Sequence, residues 1–293
     1  MSKVLVATHG FFGDIAFATG LAEELSKEFD QVDYLIGFPQ MKSLVKNNPF
    51  IRTVHVSRPN GPITRPEMLP KVMKYNRTIK LGPLGFEVPP VTEYKARKNF
   101  KNSDPSYKLY TNDGLDLKAR ELFMSLPKGK KVIGVMGNWQ ERTFLFNKKQ
   151  YAAGIDVPNK GYGGANRDTH GIVKALSERY TILQLGMPGK SQANTTEIRD
   201  DDPKSILFEA SVMKYCDAFV GAEGGLANLA AGVGTKTIIT GDFVHQLYGP
   251  NGVIRKMEDP KLGPKYYFPD AGHVTLDPFL TDKQVIREIY KLV

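Results

Sequence analysis

The strongest constraint in this sequence is a strand–helix alternation that stops and then starts again. Residues 3–7 (KVLVA) read as a short buried strand, and the loop THGFFG follows. From Asp14 onward Ile15, Ala18, Leu21, Ala22 and Leu25 recur at helical spacing. VDYLIG (32–37), MKSLVKNN (41–48) and TVHVS (53–57) continue as strand, helix and strand. Such a β-α-β-α-β order predicts a parallel, doubly wound sheet. The pattern resumes with a strand at KVIGVMG (131–137), a helix over 169–180 and a strand over 181–186. A helix over 206–216, a strand over 217–222, a helix over 226–234 and a strand over 236–241 follow. The chain closes on a capped amphipathic helix, TDKQVIREIYKLV. A length of 293 residues is long for one core and suits two α/β domains, here residues 1–128 and 129–280. Residues 281–293 form a last helix that is free to pack back on the first domain.

Between the two runs the pattern fails. Residues 57–112 are rich in Pro, Gly, Lys and Tyr and carry no long periodic run. A segment of that length without regular structure is usually functional. Short helices covering one face of the first domain are expected here, then a helix at LDLKARELFMSL (115–126). Charge is concentrated in the same place. Arg58 to Lys131 holds sixteen Lys and Arg against seven Asp and Glu, which is the whole of the chain's net +9. A localised basic segment implies an acidic partner such as nucleic acid, an anionic headgroup or a phosphorylated glycan, unless it serves only as a solvated surface.

Several classes are excluded or disfavoured. The N-terminus MSKVLVATHG lacks the apolar core of a signal peptide, and no apolar run reaches the ~18 residues that span a bilayer. The lone Cys216 gives no disulfide framework and sits in an apolar helical run, so a cytoplasmic location and an inert thiol are expected. The five histidines (9, 55, 170, 245 and 273) show no paired spacing and there is no cysteine cluster, so no metal and no cofactor are expected. No Walker A sequence, dinucleotide fingerprint or serine nucleophile elbow occurs.

Ligands of doubly wound sheets bind where strands end, so the loops 8–14, 137–142, 186–190, 221–228 and 241–250 should converge on a cleft. Gly13 permits a tight turn, and Asp14 at the helix start is placed either to take a proton from an attacking hydroxyl or merely to cap the helix. In GAEGGLANLAAGVG (221–234), Gly224 and Gly225 precede a helix starting near Leu226, where free N–H groups suit phosphate. Glu223 could accept from sugar hydroxyls, and Asn228 in the first turn could reach the same ligand. Gly186 and Met187 of GMPGK, with Gly137 and Asn138 alongside, could line a nucleotide pocket. Lys160 and Arg167 could neutralise a diphosphate.

These residues resemble a family. GDIAFATGLAEELSKEFDQVDYLIG, continuing to NNPFIRTVHV, looks like the opening of the ADP-heptose:lipopolysaccharide heptosyltransferases, the family-9 glycosyltransferases. ILFEASVMKYCDAFVGAEGGLANLAAGVGTKTIIT is similar to their donor-site stretch, where Asp-Thr-Gly-x-x-His-Leu-Ala follows a strand. The two matches cover roughly residues 3–56 and 131–245. The resemblance implies a GT-B fold, two Rossmann-like domains facing a central cleft, and an inverting, metal-free transfer from a nucleotide-diphosphate sugar as co-substrate. It implies that Asp14 is the catalytic base. Glu223, Gly224 and Gly225 match the Asp-Thr-Gly, Asn228 matches the His, and Gly137 and Asn138 lie where the family holds donor phosphate or nucleotide. The wording differs at three of these positions, with Glu for Asp, Gly for Thr and Asn for His, and looks more like divergent members from phage genomes.

Two acceptors suit the basic segment: lipopolysaccharide core, and DNA with hydroxylated bases. Lys95, Arg97, Lys98 and Lys101 are the expected docking cations. Tyr75, Phe86, Tyr94, Phe100, Tyr107 and Tyr110 among them would suit base stacking, or else cover the domain's core. A non-catalytic glycan or nucleotide binding protein is the alternative, motivated by the altered second motif. A nucleotide-sugar epimerase is disfavoured, because THGFFGD supplies no dinucleotide fingerprint.

Overall fold

The computed structural model describes residues 1–8, 12–37, 39–57, 72–81, 95, 106–136, 169–186, 195–198, 206–222, 225–240, 274–276 and 280–293. Two parallel sheets organise them. The first has four strands in the order β3-β2-β1-β4: β1 (Lys3–Thr8), β2 (Gln31–Ile36), β3 (Thr53–Val56) and β4 (Arg77–Leu81). The second has six in the order β10-β9-β8-β5-β6-β7: β5 (Val132–Met136), β6 (Thr181–Leu185), β7 (Thr195–Glu197), β8 (Ala218–Gly221), β9 (Thr237–Ile239) and β10 (Val274–Thr275). Every ladder is parallel, with β1 in register with β2 from Lys3 opposite Gln31. Strands covered on both faces read as unbroken apolar runs, and β1, β2, β5, β6 and β8 are buried along almost their whole length.

Strand β4 departs from expectation, because it lies inside the 57–112 segment that sequence periodicity left without a strand. It is an edge strand, and its exposed Arg77 and Lys80 interrupt the apolar signal. Strands β7 and β10 were likewise not expected. The first long helix is also divided. It begins at Phe12, not Asp14, as α1 (Phe12–Ala18), tightens into a 3-10 turn over Thr19–Leu21, and resumes as α2 (Ala22–Glu28). The Thr19 hydroxyl donates to the Ala16 carbonyl at 2.6 Å. Such back-bonding competes with the helix ladder and bends it. A short helix α3 (Lys42–Lys46) joins β2 to β3.

The two halves pack on each other through helices. Helix α4 (Asp113–Ser125), capped by the Asn112 side chain, lies against α6 (Leu207–Met213) of the second half. Helix α5 (Thr169–Ser177) receives α8 (Asp282–Leu292), which opens on a Thr281–Gln284 capping box. Tyr290 donates to the Ala175 carbonyl at 2.9 Å, and the Lys131 and Lys236 ammoniums reach the carbonyls of Val293 and Leu292. The sequence left open a return of the last helix to the first domain, whereas these contacts hold it to the second. One apolar core runs continuously through both halves, with a small separate cluster of Leu5, Ala7 and Leu35 on the other face of the first sheet. Among the described residues no helix is long and apolar enough to cross a membrane.

Candidate active site

Helix α1 follows β1, and helix α7 (Gly225–Gly232) follows β8. They cross the seam between the halves and touch at their first turns. A Cβ on residue 13 would stand 2.4 Å from Asn228 Nδ2, so only glycine lets the two helices come this close. Next to it, Gly186 at the end of β6 adopts φ +93°, and a Cβ there would lie 2.3 Å from Leu226 Cδ1. Loops that follow three different strands thus meet at the start of α7.

Asp14 is half-buried and lies in the first turn of α1, beside this contact. It is the third residue of the helix, not its cap. Asn228 is only 3% exposed, and its Oδ1 has no hydrogen-bond partner among the described residues. A buried acceptor left unsatisfied is costly and marks a place where a ligand's donor would be welcome. Tyr107 donates its hydroxyl to the Asn228 carbonyl at 2.8 Å, and its ring stands edge-on to Phe17 with centroids 5.3 Å apart. Burial holds the Tyr107 phenol well above its ordinary pKa, so the hydroxyl keeps its proton. The helix turn that carries Asp14 therefore meets the polar Asn228 at the junction of two α/β halves.

Of the expected site residues, Gly13, Asp14, Gly186, Gly225, Leu226 and Asn228 come together here. Gly137, Asn138, Lys160, Met187, Glu223, Gly224, Arg97, Lys98 and Lys101 lie outside the described residues. Lys95 is placed differently from expectation. It is 3% exposed and lines a cavity of about 440 Å³ with Glu23, Tyr107, Lys108 and Tyr110. That cavity adjoins Gly20 and Gly234, at the far ends of α1 and α7. It lies roughly 9 Å along the axis from Asp14 at 1.5 Å per residue. A buried lysine cannot serve as an open docking cation. For Tyr107 the sequence suggests base stacking or cover for the first domain's core, and no periodicity flags its place in the seam.

Two further points bear on the chemistry. The run Asp200-Asp201-Asp202 is itself an Asp-x-Asp spacing, the pattern of metal-dependent sugar transferases, which the histidine and cysteine count leaves out. It lies outside the described residues, and among the described ones no cluster of metal-ligating side chains occurs. On the second face of the first sheet, Tyr75 donates to buried Asp33 at 2.6 Å and stands 3.0 Å from His55 Nε2. The single phenolic proton is spent on Asp33, so the His55 nitrogen must be the donor in its contact. This relay fastens residue 75 to the sheet. Cys216 is buried as expected, with its thiol pushed up to about 12 by burial.

A scan against models of protein families and a search of curated protein sequences found no match. The fold does have solved counterparts. The glycosyl transferase family 9 protein from Veillonella parvula superposes with a TM-score of 0.66 at 14% identity, over 99% of this chain and 97% of its own. The E. coli ADP-heptose lps heptosyltransferase II gives 0.60 at 13% identity, over 100% and 98%. The E. coli heptosyltransferase WaaC with ADP gives 0.51 at 11% identity, over 99% and 100%. The chain is thus an α/β protein of GT-B architecture. Its solved neighbours are family-9 glycosyltransferases, the family that the motifs at 3–56 and 131–245 resemble.

Proposed function

We propose that this chain is a glycosyltransferase that moves a sugar from a nucleotide-diphosphate sugar to a hydroxyl of an anionic acceptor. The observation that carries this reading is the meeting of Gly13–Asp14 with Leu226–Asn228 and Gly186 at the seam. It sets a base from one half against the donor-type loop of the other. The acceptor hydroxyl gives its proton to the Asp14 carboxylate as its oxygen attacks the anomeric carbon. The bond from that carbon to the diphosphate breaks on the opposite face. The nucleoside diphosphate leaves with the electron pair, and the configuration inverts. Backbone N–H groups at the start of α7 offset the leaving charge, and Glu223 before it accepts from hydroxyls of the donor sugar. The unpartnered Asn228 Oδ1 accepts from a donor hydroxyl.

ADP-heptose is the first donor to test, because it appears in the name of a solved neighbour. For the acceptor, a phosphorylated lipopolysaccharide-core glycan is favoured over a hydroxylated base in DNA. Two of the six aromatics suited to base stacking, Tyr75 and Tyr107, have their hydroxyls tied within the protein to Asp33 and Asn228. With Lys95 buried, Arg97, Lys98 and Lys101 would dock the acceptor's phosphates. Both substrates of such a reaction are met in the cytoplasm.

The test is release of nucleoside diphosphate by the wild type and Asp14→Asn. The panel pairs ADP-, UDP- and GDP-sugars with deacylated lipopolysaccharide core or hydroxymethylated DNA, with and without EDTA. Turnover with a core glycan, lost by at least about 100-fold in Asp14→Asn and unchanged by EDTA, is the expected result. Loss on chelation would assign a metal role to the Asp200–Asp202 run. Donor binding without turnover would make the chain a binding module.

A further inference from the structure

Residues 106–110 cross the seam as a strap that touches both helices. The Thr19 hydroxyl oxygen, at the end of α1, lies 3.3 Å from the Lys108 carbonyl, while its proton is directed at the nearer Ala16 carbonyl. The Leu109 amide donates to the Gly232 carbonyl, the last of α7, at 2.7 Å. Between these ties Tyr107 reaches both helices, α1 at Phe17 and α7 at Asn228. Its ring abuts Phe17, which follows Asp14 by three residues and therefore lies on the same side of α1. Phe17 Cε2 is 3.7 Å from the point a Cβ on residue 13 would occupy. The Tyr107 hydroxyl ends on the carbonyl of Asn228 itself. One side chain thus touches the helix that carries the base and the turn that faces the donor.

We propose that Tyr107 is a positioning residue for glycosyl transfer, fixing the distance between the Asp14 carboxylate and a donor seated on α7. This rests on the transferase reading given above. Its hydroxyl ties down α7 and its ring ties down α1, so loss of either lets one helix move relative to the other. A small misplacement of reacting groups slows the chemical step strongly. Donor binding is held mainly by the second half and should change little. A merely structural role would instead lower the folded fraction and leave the kcat per folded molecule as it was.

Tyr107→Phe keeps the ring and its contact with Phe17 while removing the bond to Asn228. With the acceptor saturating, kcat is expected to fall about tenfold. The donor KM should stay within about twofold, and circular dichroism should show a native fold at the assay temperature. If that variant does not fold, Phe17→Leu, which removes the ring contact from the α1 side, is expected to give the same split. An unchanged kcat in folded variant, beside Asp14-dependent wild-type turnover, would overturn the role of Tyr107 and leave the transferase reading standing. Absence of wild-type turnover with every donor and acceptor would overturn both.

Discussion

Among the described residues, two of the joints between the halves are built in opposite ways. At the inner seam the contact is made by removing atoms. Gly13 and Gly186 let helix α7 come within a Cβ's reach, and the polar atom left there, Asn228 Oδ1, has no partner among the described residues. At the outer clamp the contact is made by long side chains. The Lys214 ammonium on the α6 side binds Asp116 of α4 and the Thr111 hydroxyl. Arg120 Nε donates to the Tyr215 hydroxyl at 2.7 Å with its guanidinium over the ring, and Phe123 leans on the same ring. The clamp is partly exposed and can rearrange around a substitution. At the seam the backbones stand close enough that an added Cβ must displace a buried side chain. A site that must hold two groups at a fixed separation is served by the seam's kind of contact, and a linker by the clamp's.

The difference is sharpest at Gly13. Gly13→Val would drive a branched side chain into the Asn228 amide and separate the two first turns. Turnover is expected to fall by about 100-fold, the scale of a 1 Å misplacement of reacting groups. Gly13→Ala should lose less, and Gly13→Ala with Asn228→Ala should regain part of that loss in thermal stability. Strictly additive losses in that double-mutant cycle would break the idea that the two residues meet. At Gly186 both backbone and space argue. Alanine at φ +93° is strained and abuts Leu226, so Gly186→Ala should cost about 1–3 kcal/mol in denaturant unfolding. Adding Leu226→Ala would relieve the steric part and not the backbone part, so rescue should be incomplete. Full rescue would show that crowding alone reserves the position for glycine.

The sequence exposed most of the sheets because burial on both faces leaves an uninterrupted apolar signature, as in KVLVAT and VIGVM. It hid β4 and β7 because an edge strand is half solvated, and RTIKL and TTE carry the polar residues that this allows. The break at Thr19–Leu21 depends on one hydroxyl choosing a backbone carbonyl, which hydrophobic spacing does not register. Within the site, Gly13, Asp14 and Asn228 were legible through motif resemblance, and their meeting is a tertiary fact. Lys95 was misjudged because a charge count locates cations along the chain but not with respect to solvent. Tyr107 was missed for a related reason: its importance lies in touching two helices separated by more than two hundred residues in the chain, while its own neighbours have no pattern.

The smallest expected effect belongs to the clamp. Burial pushes the Asp116 carboxyl up, but hydrogen bonds from the Lys214 ammonium and from Thr111 and Ser211, with the charge of Lys214, outweigh it and leave its pKa below the ordinary 3.8. A carboxyl that is more acidic folded than unfolded binds its proton more readily in the unfolded chain. Its contribution is therefore present above about pH 4 and fades as pH falls through the folded value. For a pair this exposed the contribution is a few tenths to about 1 kcal/mol. Asp116→Asn should thus lower stability by that amount at pH 7 and leave it nearly unchanged at pH 2–3, read from urea midpoints at both pH values. Transfer activity per folded molecule should stay at the wild-type level, since the clamp touches neither Asp14 nor Asn228. A fall in kcat without loss of stability would mean that the clamp also sets the seam, and the contrast between the two joints would dissolve.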